Sequence, residues 1–257
     1  MNNKITSLKE KFRVALASTA KVISEDFTLK NDRLESSDTI KIDDIKNPND
    51  FIRIRAETDS EALKIRFSNE EIYRKNLPNN HTSKLLYDIA EKIRYESLGG
   101  QMLRGIKKNF NENYSLMINL KKRDQLKTKD DVPVAEAFEL YMLKNFHQIK
   151  LNPLTSKMLD FWEKTFDNSI KKHKKFLLEN LEYQNNYSSQ FTKIFEEMGI
   201  FQTEENDINN HENQDQGQDN PSNDDQDHNK EDSRDEDNEQ QTQANLDTDY
   251  NVDEFNL

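Results

Sequence analysis

The chain has 257 residues, a formal charge of −12 and 33% hydrophobic residues, below the roughly 45–50% usual for globular chains. The last 56 residues, from Gln202, hold 19 Asp/Glu against 2 Lys/Arg, which leaves residues 1–201 with 30 acids, 35 bases and a net charge of +5. The absence of cysteine excludes disulfides, thiolate metal sites and cysteine nucleophiles. No apolar run approaches the ~20 residues of a membrane span, and "MNNKITSLKEKF" lacks the apolar stretch of a signal peptide. The chain therefore reads as soluble and cytoplasmic.

In chain order, residues 4–23 carry the stripe Phe12, Leu16, Ala20 and Ile23, which predicts a helix. Phe27–Leu29 and Ile40–Ile42 alternate around a polar turn, and a small β-hairpin is expected near residues 27–42. "FIRIRAETDSEALKIRF" (Phe51–Phe67) divides evenly. Its alternating isoleucines and arginines suit strands, whereas "AETDSEALKIR" is good helix-forming material. "LPNN" (Leu77–Asn80) caps a helix that starts near His81, with Leu85, Ile89 and Ile93 on its buried face. Gly99–Gly100 is expected to end it. Further helices are predicted over Met102–Lys122, after Pro133 (Ala137, Leu140, Tyr141, Lys144), after Pro153 (Leu154, Met158, Phe161, Trp162, Phe166, Ile170) and over Tyr187–Met198, with Gly199 as its stop. The predicted fold class is mostly α: a helical domain over residues 1–201, then a disordered acidic, Asn/Gln-rich tail over 202–257 that lacks the apolar surface needed to offset ordering entropy.

Chemical motifs are sparse. None of the five glycines, Gly99, Gly100, Gly105, Gly199 and Gly217, begins a phosphate-cradling GxxxxGK[ST] or GxGxxG loop. The five histidines, His81, His147, His173, His211 and His228, show no HxxxH spacing. Asp225, Asp227, Asn229 and Glu236 follow the order of a calcium loop, but Lys230 replaces its required glycine. Asp167-x-Ser169 starts a MIDAS-like D-x-S-x-S run, and Lys171 breaks it. The basic runs Lys121–Arg123 and Lys171–Lys175 read first as solvated helix faces, and otherwise as surfaces for nucleic-acid backbone or an acidic partner. In "EKIRYESLGGQMLRGIKKNF" (Glu91–Phe110), helical geometry places Glu91 ~60° from Arg94 and ~140° from Glu96. Glu91 can pair with Arg94, and Lys92 with Glu96. The two glutamates do not converge as a general acid and base would.

The order of these residues says more than their chemistry. Glu91-x-x-Arg94-x-Glu96-x-x-Gly99, then Gly105, then Asn109-Phe110, resembles the signature of the CobT subunit of aerobic cobaltochelatase. Four other stretches align in the same order: "AETDSEALKIRF", "VPVAEAF" (Val132–Phe138), "MLDFWEKTF" (Met158–Phe166, with Trp162) and "LEYQNNYSSQF" (Leu181–Phe191). The likeness covers about residues 5–200. It departs at Ser68, where histidine is usual, and at Leu103, where methionine is usual. The family continues past its acidic linker into a von Willebrand A-type domain with a MIDAS loop, so this chain looks like the front half of such a subunit.

The resemblance favours helix over about Ala56–Phe67. It implies a non-catalytic subunit that works with an AAA+ ATPase (CobS-like) and a large chelatase subunit (CobN-like). The assembled complex uses ATP and magnesium to insert cobalt into hydrogenobyrinic acid a,c-diamide in cobalamin biosynthesis. Glu91, Arg94, Glu96, Gly99, Gly105, Asn109 and Trp162 are then structural or interaction residues. No catalytic, cofactor or metal residue is expected in this chain, and neither nucleic acid nor membrane is an expected partner. The alternative is a stand-alone adaptor with an acidic tail, partnered by an AAA+ ATPase.

Overall fold

The computed structural model describes residues 2–29, 45–122 and 126–198. The chain divides into two units, Met1–Gln202 and Thr203–Leu257, and every described residue lies in the first. Nine α-helices are present among the described residues: α1 (Asn2–Ser24), α2 (Pro48–Phe67), α3 (Glu70–Asn76), α4 (His81–Met102), α5 (Arg104–Leu120), α6 (Val134–Met142), α7 (Pro153–Ile170), α8 (Lys174–Glu179) and α9 (Gln184–Met198). Short 3₁₀ turns at Lys129–Asp131 and Lys171–His173 and a π-helical turn at Leu143–His147 complete the set. No strand occurs among these residues.

Asparagine starts four of the helices. Asn47 accepts from the backbone amides of Asn49 and Asp50 and completes a capping box ahead of Pro48. Asn69, Asn80 and Asn152 accept from Ile72, Ser83 and Thr155 in the same way. Each such cap contributes about 1 kcal/mol by satisfying an amide that the first turn leaves without a partner.

Helix α4 is the centre. Leu86, Tyr87, Ile89, Ala90, Ile93, Tyr95 and Leu98 are all buried, and they occupy every face of the helix, as expected of a helix surrounded by others. Helices α2, α5, α6 and α9 and the π turn pack around it, while α1 packs on α2 and α7 packs on α6 and α9. An aromatic cluster joins the last of these: Phe138 meets Phe166, Phe191 and Phe195 edge-on, with centroids 5.6–6.3 Å apart.

Three sequence expectations change. The segment Phe27–Leu29 is a tight turn rather than a strand, because the Asp26 carboxylate accepts from both the backbone amide and the hydroxyl of Thr28, an Asx turn that closes the chain locally. The other expected hairpin arm, Ile40–Ile42, lies outside the described residues, as do Gly199 and the acidic segment from 202. The even division over Phe51–Phe67 resolves as helix throughout. Finally, Gly99–Gly100 does not end α4, which runs on to Met102.

Gly99 is there for contact instead. A Cβ at this position would lie 2.3 Å from Leu63 Cδ1, and Leu63 is itself buried in α2. The missing side chain lets α2 and α4 approach. A Cβ at Gly100 would meet only Lys107, at an ordinary 3.5 Å. Gly99→Ala is therefore expected to destabilise the fold by on the order of 1–3 kcal/mol through overpacking, and Leu63→Ala/Gly99→Ala to cost less than the sum of the two single changes. Gly100→Ala is expected to be neutral or stabilising by up to ~1 kcal/mol. Urea unfolding of the variants checks both, and equal effects at the two glycines would contradict the packing account.

Candidate functional site

Four of the residues singled out in the sequence, Glu91, Arg94, Glu96 and Asn109, belong to two buried polar clusters on opposite sides of α4. The first is built on Arg94, which is 0% exposed. Its Nε and Nη2 both donate to Glu91 Oε2 at 3.1 Å. Nη1 donates to the Leu181 carbonyl at 3.1 Å, and Nη2 also donates to the Phe67 carbonyl at 2.8 Å and to Ser68 Oγ at 3.4 Å. Glu91, 4% exposed, accepts in addition from Gln184 Nε2 at 3.0 Å and Ser188 Oγ at 2.6 Å. Gln184 Oε1 in turn accepts from the Asn69 amide at 2.7 Å. One ion pair thus ties together the end of α2, the start of α3, α4, the turn before α9, and α9 itself.

The second cluster is built on Glu96, 1% exposed. It accepts from Ser60 Oγ of α2 and the Tyr114 hydroxyl of α5, both at 2.6 Å. One turn away along the same α2–α5 seam, Asn109 Nδ2 donates to Asp59 Oδ2 at 2.5 Å. Burial pushes the Asp59 carboxyl above the usual carboxylate range, against the opposing pull of the Asn109 amide and the Arg55 charge. The Tyr114 hydroxyl is likewise pushed up, first by burial and then by the Glu96 charge. Lys92 does not close on Glu96 as helical spacing allowed. Its Nζ sits 5.9 Å from the Tyr114 ring centroid instead. The His147 ring meets Tyr114 edge-on at 5.7 Å, and burial lowers its pKa.

Of the expected residues, Glu91 and Arg94 bond directly, Glu96 and Asn109 face the α2–α5 side, and Gly99 seats Leu63. Gly105 is exposed at the start of α5, where a Cβ would meet nothing within 4 Å. Trp162 belongs to a separate contact: its Nε1 donates to the Val132 carbonyl at 3.0 Å, Lys129 Nζ lies 3.7 Å over its ring, and Phe166 stacks at 6.1 Å. Ser60, Asp59, Tyr114, Gln184 and Ser188 were not singled out. Four of these five lie in two of the segments that carry the family likeness, "AETDSEALKIRF" and "LEYQNNYSSQF". Pairing those segments with Glu91–Asn109 was the signal available.

Both glutamates are closed off from solvent, and their oxygens are occupied by protein donors. The arrangement clamps helices; it presents no acid/base pair to a substrate. Among the described residues no group of three or more His, Cys, Asp or Glu could hold a metal ion. Asp167 of the MIDAS-like run accepts from the Tyr141 hydroxyl at 2.9 Å and lies 3.8 Å from Lys171. The calcium-like run Asp225–Glu236 lies outside the described residues. The basic run is met by neighbouring carboxylates, with Lys172 on Glu197 at 2.9 Å and Lys175 near Glu179 at 3.8 Å.

The family model "Cobalamin biosynthesis protein CobT" matches residues 6–254. The chain belongs to the CobT family. Membership ties it to cobalamin biosynthesis and to cobaltochelatase, an enzyme of several subunits. The match runs well past residue 200, where the signature segments stop. No curated protein and no solved structure matches the chain.

Two outcomes follow for this CobT-family chain. Arg94→Met, which strands the Glu91 charge, is expected to cost about 3–5 kcal/mol, whereas Glu91→Met/Arg94→Met costs less than either single change; chemical denaturation of the four proteins reads the cycle, and additive losses would contradict the clamp. His147 has a folded pKa below its unfolded value of about 6.5. Its contribution to stability is therefore full above pH ~6.5 and is lost as pH falls through the folded pKa. The melting temperature of His147→Phe relative to the unaltered protein should be level above pH 7 and rise below pH 6.5. A pH-independent difference would contradict the buried neutral imidazole.

Proposed function

We propose that this chain is a non-catalytic assembly and coupling subunit of an ATP-dependent cobaltochelatase. The complex inserts cobalt, its substrate, into hydrogenobyrinic acid a,c-diamide. Its partners are an AAA+ ATPase subunit of the CobS kind and a large chelatase subunit of the CobN kind. ATP and magnesium act in the assembled complex, in the cytoplasm. Residues 1–201 supply the helical module and residues 202–257 the acidic segment. ATP turnover in the partner reaches the large subunit through contacts with the helical body, without covalent chemistry on this chain.

The observation that carries this reading is that the signature charges are spent internally. Glu91, Arg94 and Glu96 are buried and committed to protein hydrogen bonds, as suits a rigid body that transmits force. No helix among the described residues is long and apolar enough to cross a membrane. Reconstitution tests the reading: cobalt insertion by the ATPase and large subunits should require this chain, and the isolated chain should hydrolyse no ATP. Full chelation without the chain, or ATP turnover by the chain alone, would refute it.

A further inference from the structure

The corner between α4 and α5 is a surface that the described structure leaves open. Gln101–Gly105 are five consecutive exposed residues. Two of them are large and apolar, with Met102 49% and Leu103 46% exposed. Beside them, Ile52 of α2 and the first turns of α5 line an open groove of about 600 Å³.

The groove is cationic. Arg104, Lys107 and Lys108 line it, and all three are exposed. Lys108 lies 3.5 Å from Glu112, the one acid in the lining. Neither Arg104 nor Lys107 has a carboxylate partner among the described residues. Elsewhere on this chain lysines have found carboxylates, as Lys121, Lys144 and Lys172 have.

Gly105 adds a different kind of observation. It sits in helical backbone with empty space where a Cβ would be. Unlike Gly99, nothing among the described residues requires its missing side chain, and a helical glycine is less stable than alanine. What glycine provides at such a place is a bare stretch of backbone that another chain can approach closely.

We infer that the corner from Met102 to Lys108, with Ile52, is a docking surface for an acidic, amphipathic segment of the ATPase partner. The partner's carboxylates meet Arg104 and Lys107, its apolar side chains cover Met102, Leu103 and Ile52, and its backbone passes over Gly105. Apolar burial supplies contact area and the charges supply steering and register. A phosphate backbone fits less well, because it has no apolar side chains to cover the exposed Met102 and Leu103. The inference rests on the assembly proposed above and gives it a surface.

The test uses the full chain and the purified ATPase subunit. Arg104→Glu/Lys107→Glu and Gly105→Phe should each weaken binding at least tenfold, with melting temperatures within about 2 °C of the unaltered protein. A photo-crosslinking residue at Ser115, on the groove wall, should capture a partner segment rich in Asp and Glu. Binding within twofold for both variants would overturn the surface while leaving the assembly intact. So would capture of a basic segment, of nucleic acid or of a second copy of this chain. Failure of the unaltered chain to bind the ATPase would overturn the assembly itself, and the surface with it.

Discussion

A guanidinium taken out of water must find an acceptor in every direction it points, or the fold loses several kcal/mol. Arg94 meets that demand with one carboxylate, two backbone carbonyls and a serine hydroxyl. The carbonyls belong to Phe67 and Leu181, so the demand becomes a constraint on the path of the chain. The end of α2 and the turn before α9 must both come to the middle of α4. Glu91 extends the constraint through Gln184 and Ser188. The fold can thus be described as helices hung on one buried ion pair.

The other side of α4 uses milder means to the same end. Gly99 admits Leu63, Glu96 holds α2 and α5 through two hydroxyls, and Asn109 meets Asp59. Polar bonds of this kind add little net energy each, but each is satisfied only in one register. Together they fix how α2, α4 and α5 sit, while the aromatic cluster of α6, α7 and α9 supplies apolar area. The protein therefore uses its buried charge for rigidity. That suits the coupling role proposed above.

What the sequence disclosed and what it hid follow from distance along the chain. Two helix starts were legible, because Asn80 and the Asn-Pro pair at 152–153 act on amides three residues away, whereas the start of α2 at Asn47-Pro48 went unread. The long stripes of α1 and α7 were legible for the same reason. Alternation at Ile52 and Ile54 misled, since the two serve different neighbours: Ile54 packs with Leu16 and Ile45, and Ile52 faces the open groove. Gly99 misled because a glycine before a sharp turn and a glycine under a neighbouring helix look alike in one dimension. Left-handed backbone falls instead on Glu25 and Gln148. The Glu91–Arg94 pair was visible as local spacing, but its depth was not: Ser60, Leu181 and Ser188 lie 36, 87 and 97 residues from the groups they bond.

The clamp at Arg94 is the centre of this account, and hydrogen exchange reads it most directly. Amide protection in the unaltered chain and in Arg94→Met should be followed over residues 67–73, 88–98 and 181–188. The account predicts that the substitution lowers protection in all three segments together, by a similar factor, because one group holds them. Loss confined to α4, with the segments at 67–73 and 181–188 unchanged, would contradict it and reduce Arg94 to a local helix contact.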